Sequence, residues 1–436
     1  MNGGGALRRG VAARVPELLG ERAFRRYWTG QTVSLFGDQV TFLAVPLAAV
    51  LVLHVDAAEM GWLSMAGLLP ALLFSLTAGA LVDRRGRRRQ VMIAADLGRA
   101  ALMASLPLAY ALGHLSLPQM YAVVFLVGTL SVVFDVCNAA LFVSLVEPEE
   151  YVQGSTLVNG SRAFSFVAGP SVGGLLVQVL AAPLALFVDA LSYVCSAGLL
   201  ARIAPVEPPP AAPRKGHFSA GLRFIARSRA MRALVAGAAT VNFFNFVFHA
   251  LMVLYAVEQL GLSAGTLGVV LGAGAVGGLL GAFVTGRVVR RIGIGPTVLL
   301  GFVGFPAPLV LVPLAGGPRL LVLAALFGAE FLSGVGLMLL DIGSGSFQAA
   351  LVPDALRSRV SGAFRMVNYG VRPLGALAGG LLGSTLGLRP TLWVATVGGV
   401  LGALWLLPSP IPRMRALPEK AEDPEADAGV PTAAAA

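Results

Sequence analysis

The feature that most constrains this chain is a series of twelve long apolar runs separated by short polar turns. A helix needs about 20 apolar residues to cross the hydrocarbon core, and only helices satisfy their own backbone there as open-ended elements. Apolar residues make up 56% of the 436 residues and charged residues 12%. The sequence therefore predicts an all-α integral membrane protein with twelve transmembrane helices. The runs lie near residues 28–53, 60–82, 91–112, 118–146, 155–181, 183–204, 230–256, 264–288, 294–316, 320–345, 360–387 and 390–408.

Composition argues against several other function classes. The net charge of +10 would suit a nucleic-acid binder, but the arginines sit in gaps between apolar runs and no such motif accompanies them. Both cysteines, Cys137 and Cys195, fall inside apolar runs, which indicates neither a disulfide framework nor a metal site. No phosphate-binding loop, zinc-protease pattern or nucleophile elbow is present. We expect no cofactor, no nucleic-acid partner and no enzymatic activity.

Arginines collect in alternate turns, and this pattern orients the predicted helices. Positively charged loops favour the cytoplasmic side of a membrane. The basic leader has no separate apolar region ending in a cleavage site, so the first helix serves as its own membrane signal. We predict a protein of a bacterial-type plasma membrane with both termini cytoplasmic. The arginine-bearing segments are 1–27, 84–89, 205–229, 287–291 and 346–359.

The chain repeats itself at an offset of 203 residues, because Arg162 and Pro170 are spaced as Arg365 and Pro373 are. The repeat predicts two six-helix bundles joined by a proline-rich linker that ends in a basic amphipathic helix. The predicted segments are a leader at 1–27, a bundle at 28–204, a linker at 205–229, a bundle at 230–408 and a disordered cytoplasmic tail at 409–436.

Two motifs stand out against the apolar background. The first, after the second run, reads Gly79-x-Leu81-x-Asp83-Arg84-x-Gly86-Arg87-Arg88. Its glycines permit close helix contact and a tight turn, and its aspartate can pair with the arginines. The second, on the fifth helix, follows Arg162 and reads Ala168-Gly169-Pro170-Ser171-Val172-Gly173-Gly174.

The first motif resembles the signature cytoplasmic motif of the major facilitator superfamily, and the second resembles a motif of its proton-coupled exporters. The stretch FRRYWTGQTVSLFGDQV is similar to the branch of macrolide, siderophore and other natural-product exporters. The resemblance covers essentially the whole chain. It implies a monomer surrounded by lipid that exports a hydrophobic or amphipathic small molecule in exchange for protons by alternating access.

The resemblance also implies that Asp83 and its arginines lock the two halves in the outward-facing state, with Asp135 on the fourth helix as the partner of Arg84. The alternative is that the arginines only set topology, for which neither the glycines nor the aspartate is needed. The sequence departs from the family pattern twice. The fourth helix has no arginine, and no aspartate matches Asp83 beside Arg287.

Three carboxylates lie inside predicted spans, where a charge costs about 2.5–3.5 kcal/mol on insertion scales. In the superfamily fold, helices one, four, seven and ten line the central cavity. This favours Asp38 and Glu330 as proton-carrying or cation-binding groups. The alternatives are permanent pairing with an arginine, and for Asp189 hydrogen bonds to Ser192 and Tyr193. The candidate arginines are Arg99, Arg162, Arg365 and Arg372, of which Arg99 is predicted to pair with Asp96.

The seventh helix contributes a polar stripe of Asn242, Asn245 and His249 beside several phenylalanines. Facing the cavity, the stripe would suit a bulky amphipathic compound. Interhelical hydrogen bonding is the alternative. For the whole protein, the other functions that stay open are an uptake carrier or facilitator and a transporter-like membrane sensor or scaffold.

Overall fold

Helices form all the regular secondary structure of the described residues, 17–204 and 218–417 of a computed structural model. The side chains of residues 17, 76–85, 218–220 and 355 are not described. The helices are α1 (Arg22–Leu53), α2 (Ala57–Arg85), α3 (Arg88–Ala111), α4 (Leu117–Leu145), α5 (Tyr151–Leu180), α6 (Ala182–Ala201), α7 (Phe218–Arg227), α8 (Arg229–Glu258), α9 (Ala264–Ile292), α10 (Ile294–Gly304), α11 (Leu311–Leu314), α12 (Arg319–Leu351), α13 (Arg357–Leu386) and α14 (Leu388–Leu401).

Ten segments of the described chain are long and apolar enough to cross a membrane: α1 to α6, α8, α9, α10 with α11, and α12. The other two predicted spans are α13, which carries four arginines, and α14, which is 14 residues long and continues as a tight turn to Trp405. Both pack against α8 within the second bundle. Hydropathy and length thus identify ten of the twelve predicted spans in the described chain, and α13 and α14 occupy the places of the other two.

The spans form two bundles, α1–α6 and α8–α14, which meet mainly through α5 against α9 and α2 against α13. These two contacts correspond to each other in the internal repeat. A Cβ atom added to Gly174 would lie 2.5 Å from the Ala264 carbonyl oxygen, and one added to Gly61 would lie 2.6 Å from the Gly380 Cα atom. Backbones this close exclude any side chain, so glycine is required at both crossings.

Both crossings lie toward the same face of the molecule. We call the face at which α1, α3, α5, α8 and α13 begin the arginine-rich face, and the other the opposite face. Near the opposite face, the Gly265 backbone N–H also donates a hydrogen bond of 3.1 Å to Gln178 Oε1 across the two bundles. The bundles are thus in close contact at the opposite face.

Two segment boundaries differ between the sequence prediction and the structure: the end of the leader and the start of the C-terminal tail. α1 begins at Arg22, inside the predicted leader. Beyond the last span, the Gly295 N–H donates to the Met414 carbonyl at 2.9 Å, and Ile411 is fully buried. Residues 411–417 therefore pack against α10, whereas the sequence prediction placed them in a disordered tail. Residues 1–16, 205–217 and 418–436 lie outside the described chain. The predicted amphipathic helix is α7.

Candidate functional site

A cavity of about 380 Å³ lies between the bundles, lined mainly by α1, α2, α4 and α8. It sits toward the opposite face, because it is lined by the first turns of α2 and the last turns of α8. Its volume suits a small organic ligand, and its wall is predominantly apolar, as ligand cavities usually are. The polar residues in the wall are Asp38, Thr41, Ser64, Ser131, Tyr193 and His249.

Asp38 enters this cavity from the middle of α1. The buried Tyr193 hydroxyl, on α6, donates a hydrogen bond of 2.6 Å to Asp38 Oδ1. Asp38 has no direct ion pair with any described arginine, so permanent pairing, the alternative weighed for it, is not observed here. An acidic oxygen in a predominantly apolar wall is well suited to bind a proton or a cationic ligand group.

Asp189 lies behind Asp38 and is fully buried. It accepts hydrogen bonds from Ser192 Oγ at 3.0 Å and from Thr41 Oγ1. From the sequence, Ser192 and Tyr193 are the candidate hydrogen-bond donors to Asp189. In the structure the donors are Ser192 and Thr41, and Tyr193 donates to Asp38 instead. α1 approaches α6 this closely because residue 37 is glycine: an added Cβ would lie 2.2 Å from Asp189 Oδ1.

Arg99 contacts two residues of the cavity wall, Ser131 and Tyr193, and is only 3% exposed. It forms the predicted ion pair with Asp96, and its Nη1 donates to Ser131 Oγ at 3.4 Å. Its guanidinium lies 4.3 Å from the centre of the Phe134 ring and 4.4 Å from that of the Tyr193 ring. α3 thus supplies a cation against α4, the helix that lacks the arginine expected from the family that the sequence resembles.

Asp38, Asp96, Asp189 and Arg99 belong to a larger set of charged residues, which we call the first-bundle charge cluster. Its other two members, Asp135 and Arg162, lie within electrostatic range of Asp38. Four carboxylates face two guanidinium groups, so full ionisation would leave a charge of −2. In this cluster, carboxylates therefore outnumber guanidinium groups by two. Its members are Asp38, Asp96, Asp135, Asp189, Arg99 and Arg162.

Glu330 is separate from this cavity. It is 8% exposed on α12 and packs against Gly274 of α9, where an added Cβ would lie 3.1 Å from Glu330 Oε2. Among the described residues, nothing donates a hydrogen bond to its Oε1. Glu330 is thus a buried carboxylate between two helices of the second bundle, and its role in proton transfer stays a prediction.

The polar stripe of α8 divides between two environments. His249 lines the cavity. Asn242 instead binds α13: its Oδ1 accepts from Arg372 Nε at 3.1 Å, and its Nδ2 donates to Asn368 Oδ1 at 3.3 Å. Asn245 Oδ1 is buried and accepts no hydrogen bond from a described residue. Interhelical bonding, the alternative for this stripe, therefore applies to Asn242.

Arg372 lies beside the cavity rather than in its wall. Its guanidinium is 4.2 Å from the centre of the Tyr369 ring and 5.2 Å from that of Phe246, which does line the cavity. It also lies within electrostatic range of Asp341 on α12. Phe246 thus separates this second cation from the ligand space.

The motif on α5 forms helix crossings. Gly169 and Gly173 pack against Gln39 and Val40 of α1, and Gly174 against Gly268 of α9. The Pro170 carbonyl oxygen also lies at the crossing with α9, 2.3 Å from the position of a Cβ atom added to Gly268. Arg162 lies nearer the arginine-rich face and is exposed.

The motif after α2 is only partly described. Gly86 has φ = 61° and ends α2, a left-handed conformation that favours glycine, as the tight turn requires. Arg87 is exposed and Arg88 is buried at the start of α3. The side chains of Gly79, Asp83 and Arg84 lie outside the described residues. The pairing of Arg84 with Asp135, which is exposed on α4, stays a prediction.

Two bundles around a central cavity, related by a parallel repeat, define a secondary transporter that works by alternating access. The family comparison agrees, since the model for the Major Facilitator Superfamily matches residues 27–374. The chain belongs to this superfamily and is a multi-pass membrane transporter. The predicted fold and class are thereby confirmed.

Relatives of this chain include efflux proteins. It is 27% identical over 406 residues to the "Multidrug efflux pump Tap" of Mycolicibacterium fortuitum, covering 87% of this chain and 93% of that protein. It is 30% identical over 176 residues to "Macrolide efflux protein A" of Streptococcus pyogenes, covering 39% of this chain and 42% of that protein.

Solved structures share the fold at low identity. The nucleoside transporter NupG superposes with a TM-score of 0.70 at 13% identity, covering 88% of this chain and 97% of that one. A bacterial homologue of the iron transporter ferroportin superposes with a TM-score of 0.71 at 18% identity, covering 89% and 98%.

Proposed function

We propose that this protein exports a hydrophobic or amphipathic small molecule in exchange for protons. The observation that carries the proposal is Asp38 in the wall of an apolar cavity, backed by a charge cluster in which carboxylates outnumber arginines. The names of the efflux relatives support the direction of transport. In this proposal the protein acts as a monomer within the lipid bilayer and makes or breaks no covalent bond of its substrate.

Exchange follows from competition at one carboxyl group. An ionised Asp38 in an apolar wall needs a counter-charge, which either a proton or a cationic group of the substrate supplies. Because both neutralise the same oxygen atoms, binding of one favours release of the other. Tyr193 keeps Asp38 turned toward the cavity, and Arg99, stacked on Tyr193, carries the link to Asp96.

We further propose that the arginine-rich face is cytoplasmic in a bacterial-type plasma membrane. The contacts at the opposite face then close the cavity to the outside, and the structure corresponds to the inward-facing state. Asp135, Arg162, Asp341 and Arg365, all exposed on helix segments nearer the arginine-rich face, support an opening on that side. Asp83 and its arginines would hold these segments together in the outward-facing state.

The test measures substrate-triggered proton release from energised inverted membrane vesicles, using macrolides, lipophilic cations and siderophores as the panel. We expect wild type to respond to at least one class and Asp38→Asn to respond to none. The matched control is Asp56→Asn, because Asp56 caps α2 at the opposite face and asparagine can also cap a helix. It removes a carboxylate of equal size without touching the cavity.

Each other result has a definite meaning. Proton release that survives in Asp38→Asn would assign the proton to another carboxylate, with Glu330 next to be replaced. Substrate uptake down its own gradient without proton movement would identify a facilitator. Substrate binding without transport, in protein shown to be folded, would support a sensor.

A further inference from the structure

A second cavity, of about 390 Å³, lies at the arginine-rich face where α7, the start of α8 and the end of the last span meet. It is distinct from the central cavity, with which it shares no lining residue. We call it the interfacial groove. The lining residues that matter here are Arg229, Arg232, Ala233, Ala236 and Trp405.

One end of the interfacial groove is strongly cationic. Arg229 and Arg232 are exposed one turn apart on α8, and neither has an ion-pair partner among the described residues. Arg232 Nη1 donates to the Ala226 carbonyl at 2.9 Å, which holds this side chain beside α7. No Asp or Glu occurs in the sequence between Glu207 and Glu258, so the segment that carries the pair contributes no carboxylate of its own.

The other end of the groove is apolar and carries an interfacial aromatic residue. Ala233 and Ala236 leave space beside Trp405, which is 53% exposed and donates through Nε1 to Thr240 Oγ1 at 3.1 Å. Tryptophan with one wet and one apolar edge is typical of the boundary between headgroups and hydrocarbon. From Arg229 to Ala236 the groove runs about 10 Å along α8, enough to pass from the headgroup layer into the hydrocarbon.

We propose that the interfacial groove binds an anionic phospholipid from the leaflet at the arginine-rich face. Its phosphate lies between Arg229 and Arg232, and its glycerol and upper acyl chain lie along Ala233, Ala236 and Trp405. A cationic end and an apolar end in one groove match a molecule that carries an anionic phosphate and a hydrocarbon chain. A soluble phosphate would use only the first of these. The inference does not depend on the direction of transport or on protons.

The test uses tryptophan quenching by lipids with brominated acyl chains. Trp28, Trp62 and Trp393 are replaced by phenylalanine, and the full-length protein, with Trp405 as its only tryptophan, is placed in phosphatidylcholine nanodiscs. Brominated phosphatidylglycerol is then titrated against brominated phosphatidylcholine. We expect the anionic lipid to quench Trp405 at a roughly tenfold lower mole fraction than the zwitterionic lipid does, given the attraction of two arginines.

Two double variants separate the groove from the general basic surface. R229Q/R232Q is expected to abolish the preference for the anionic lipid. R223Q/R227Q removes the same charge from α7, outside the groove lining, and is expected to keep it. An equal loss in both double variants would show a diffuse basic surface and overturn the proposal, as would equal quenching by the two lipids in the protein that retains all four arginines.

A further variant and a competitor complete the test. Ala236→Leu fills the apolar end and leaves every charge in place, so it should weaken quenching even if R229Q/R232Q folds poorly. Unchanged quenching in Ala236→Leu would contradict the acyl-chain position. Inorganic phosphate at millimolar concentration should not restore fluorescence; if it does, the groove is a soluble anion site instead.

Discussion

At the residue scale, the buried pair of Arg99 and Asp96 differs from the exposed pair of Arg357 and Asp354. Removing one partner of a buried pair leaves an uncompensated charge. We expect Arg99→Met to lower the free energy of unfolding by about 3–5 kcal/mol, measured by unfolding in SDS from mixed micelles. Asp96→Asn combined with Arg99→Met should recover much of that loss. Arg357→Gln, which breaks a pair whose side chains are 49% and 48% exposed, should cost less than about 1 kcal/mol; equal effects at both sites would refute the distinction.

The Tyr193 hydroxyl gives a second residue-scale prediction. Tyr193→Phe removes the donor to Asp38 and keeps the ring that stacks on Arg99. Hydrogen bonds to charged groups contribute about 1.5–3 kcal/mol, so we expect proton-coupled transport to fall roughly tenfold or more. The control is Tyr121→Phe, whose hydroxyl donates to the Glu59 carbonyl at 3.2 Å outside the cavity wall. If both variants transport alike, Tyr193 does not position Asp38.

At the element scale, the crossing of α5 and α9 gives a prediction about conformation. Gly174→Ala places a methyl group 3.0 Å from the Gly268 Cα atom and closer still to the Ala264 carbonyl. Overpacking of this kind typically costs about 1–3 kcal/mol. Here it destabilises the state in which α5 and α9 are in contact at the opposite face. We expect the population open at the opposite face to rise, seen as faster labelling of a cysteine at Ser64 in the cavity wall. Gly198→Ala, with open space around its Cβ, should leave labelling unchanged.

At the element scale, the sequence predicted the helices better than it predicted which side chains meet. The apolar runs and the internal repeat correctly predicted an all-helical membrane protein of two bundles, whereas the close crossings made by the glycines of α5 were seen only in the structure. Periodicity places a residue along a helix but does not give the helix's rotation in the bundle. For this reason the sequence did not separate Glu330, which packs against α9, from Asp38, or indicate that Tyr193 belongs with Asp38. The sequence did indicate the ion pair of Arg99 with Asp96 on the same helix, but it did not indicate the partners of Arg99 on α4 and α6.

At the scale of the whole molecule, alternating access requires the two bundles to separate at the opposite face in every cycle. A Cβ atom on Gly383 of α13 would lie 2.9 Å from the Ala57 Cβ atom at the start of α2. A disulfide needs a Cβ separation of about 3.5–4.5 Å, so a small shift allows Ala57→Cys and Gly383→Cys to cross-link. With Cys137 and Cys195 replaced by serine, we expect oxidation to stop transport and a reductant to restore it.

The matched controls are the two single-cysteine variants, which should transport equally with and without oxidant. Cross-linking is read from protein cleaved in the linker at 205–217, where only the disulfide holds the halves together on a denaturing gel. Because the bond constrains only the opposite face, the interfacial groove and the first-bundle charge cluster remain as they were. Full transport by a quantitatively cross-linked protein would mean that these helix ends stay together throughout the cycle, and the substrate would then have to leave between other helices.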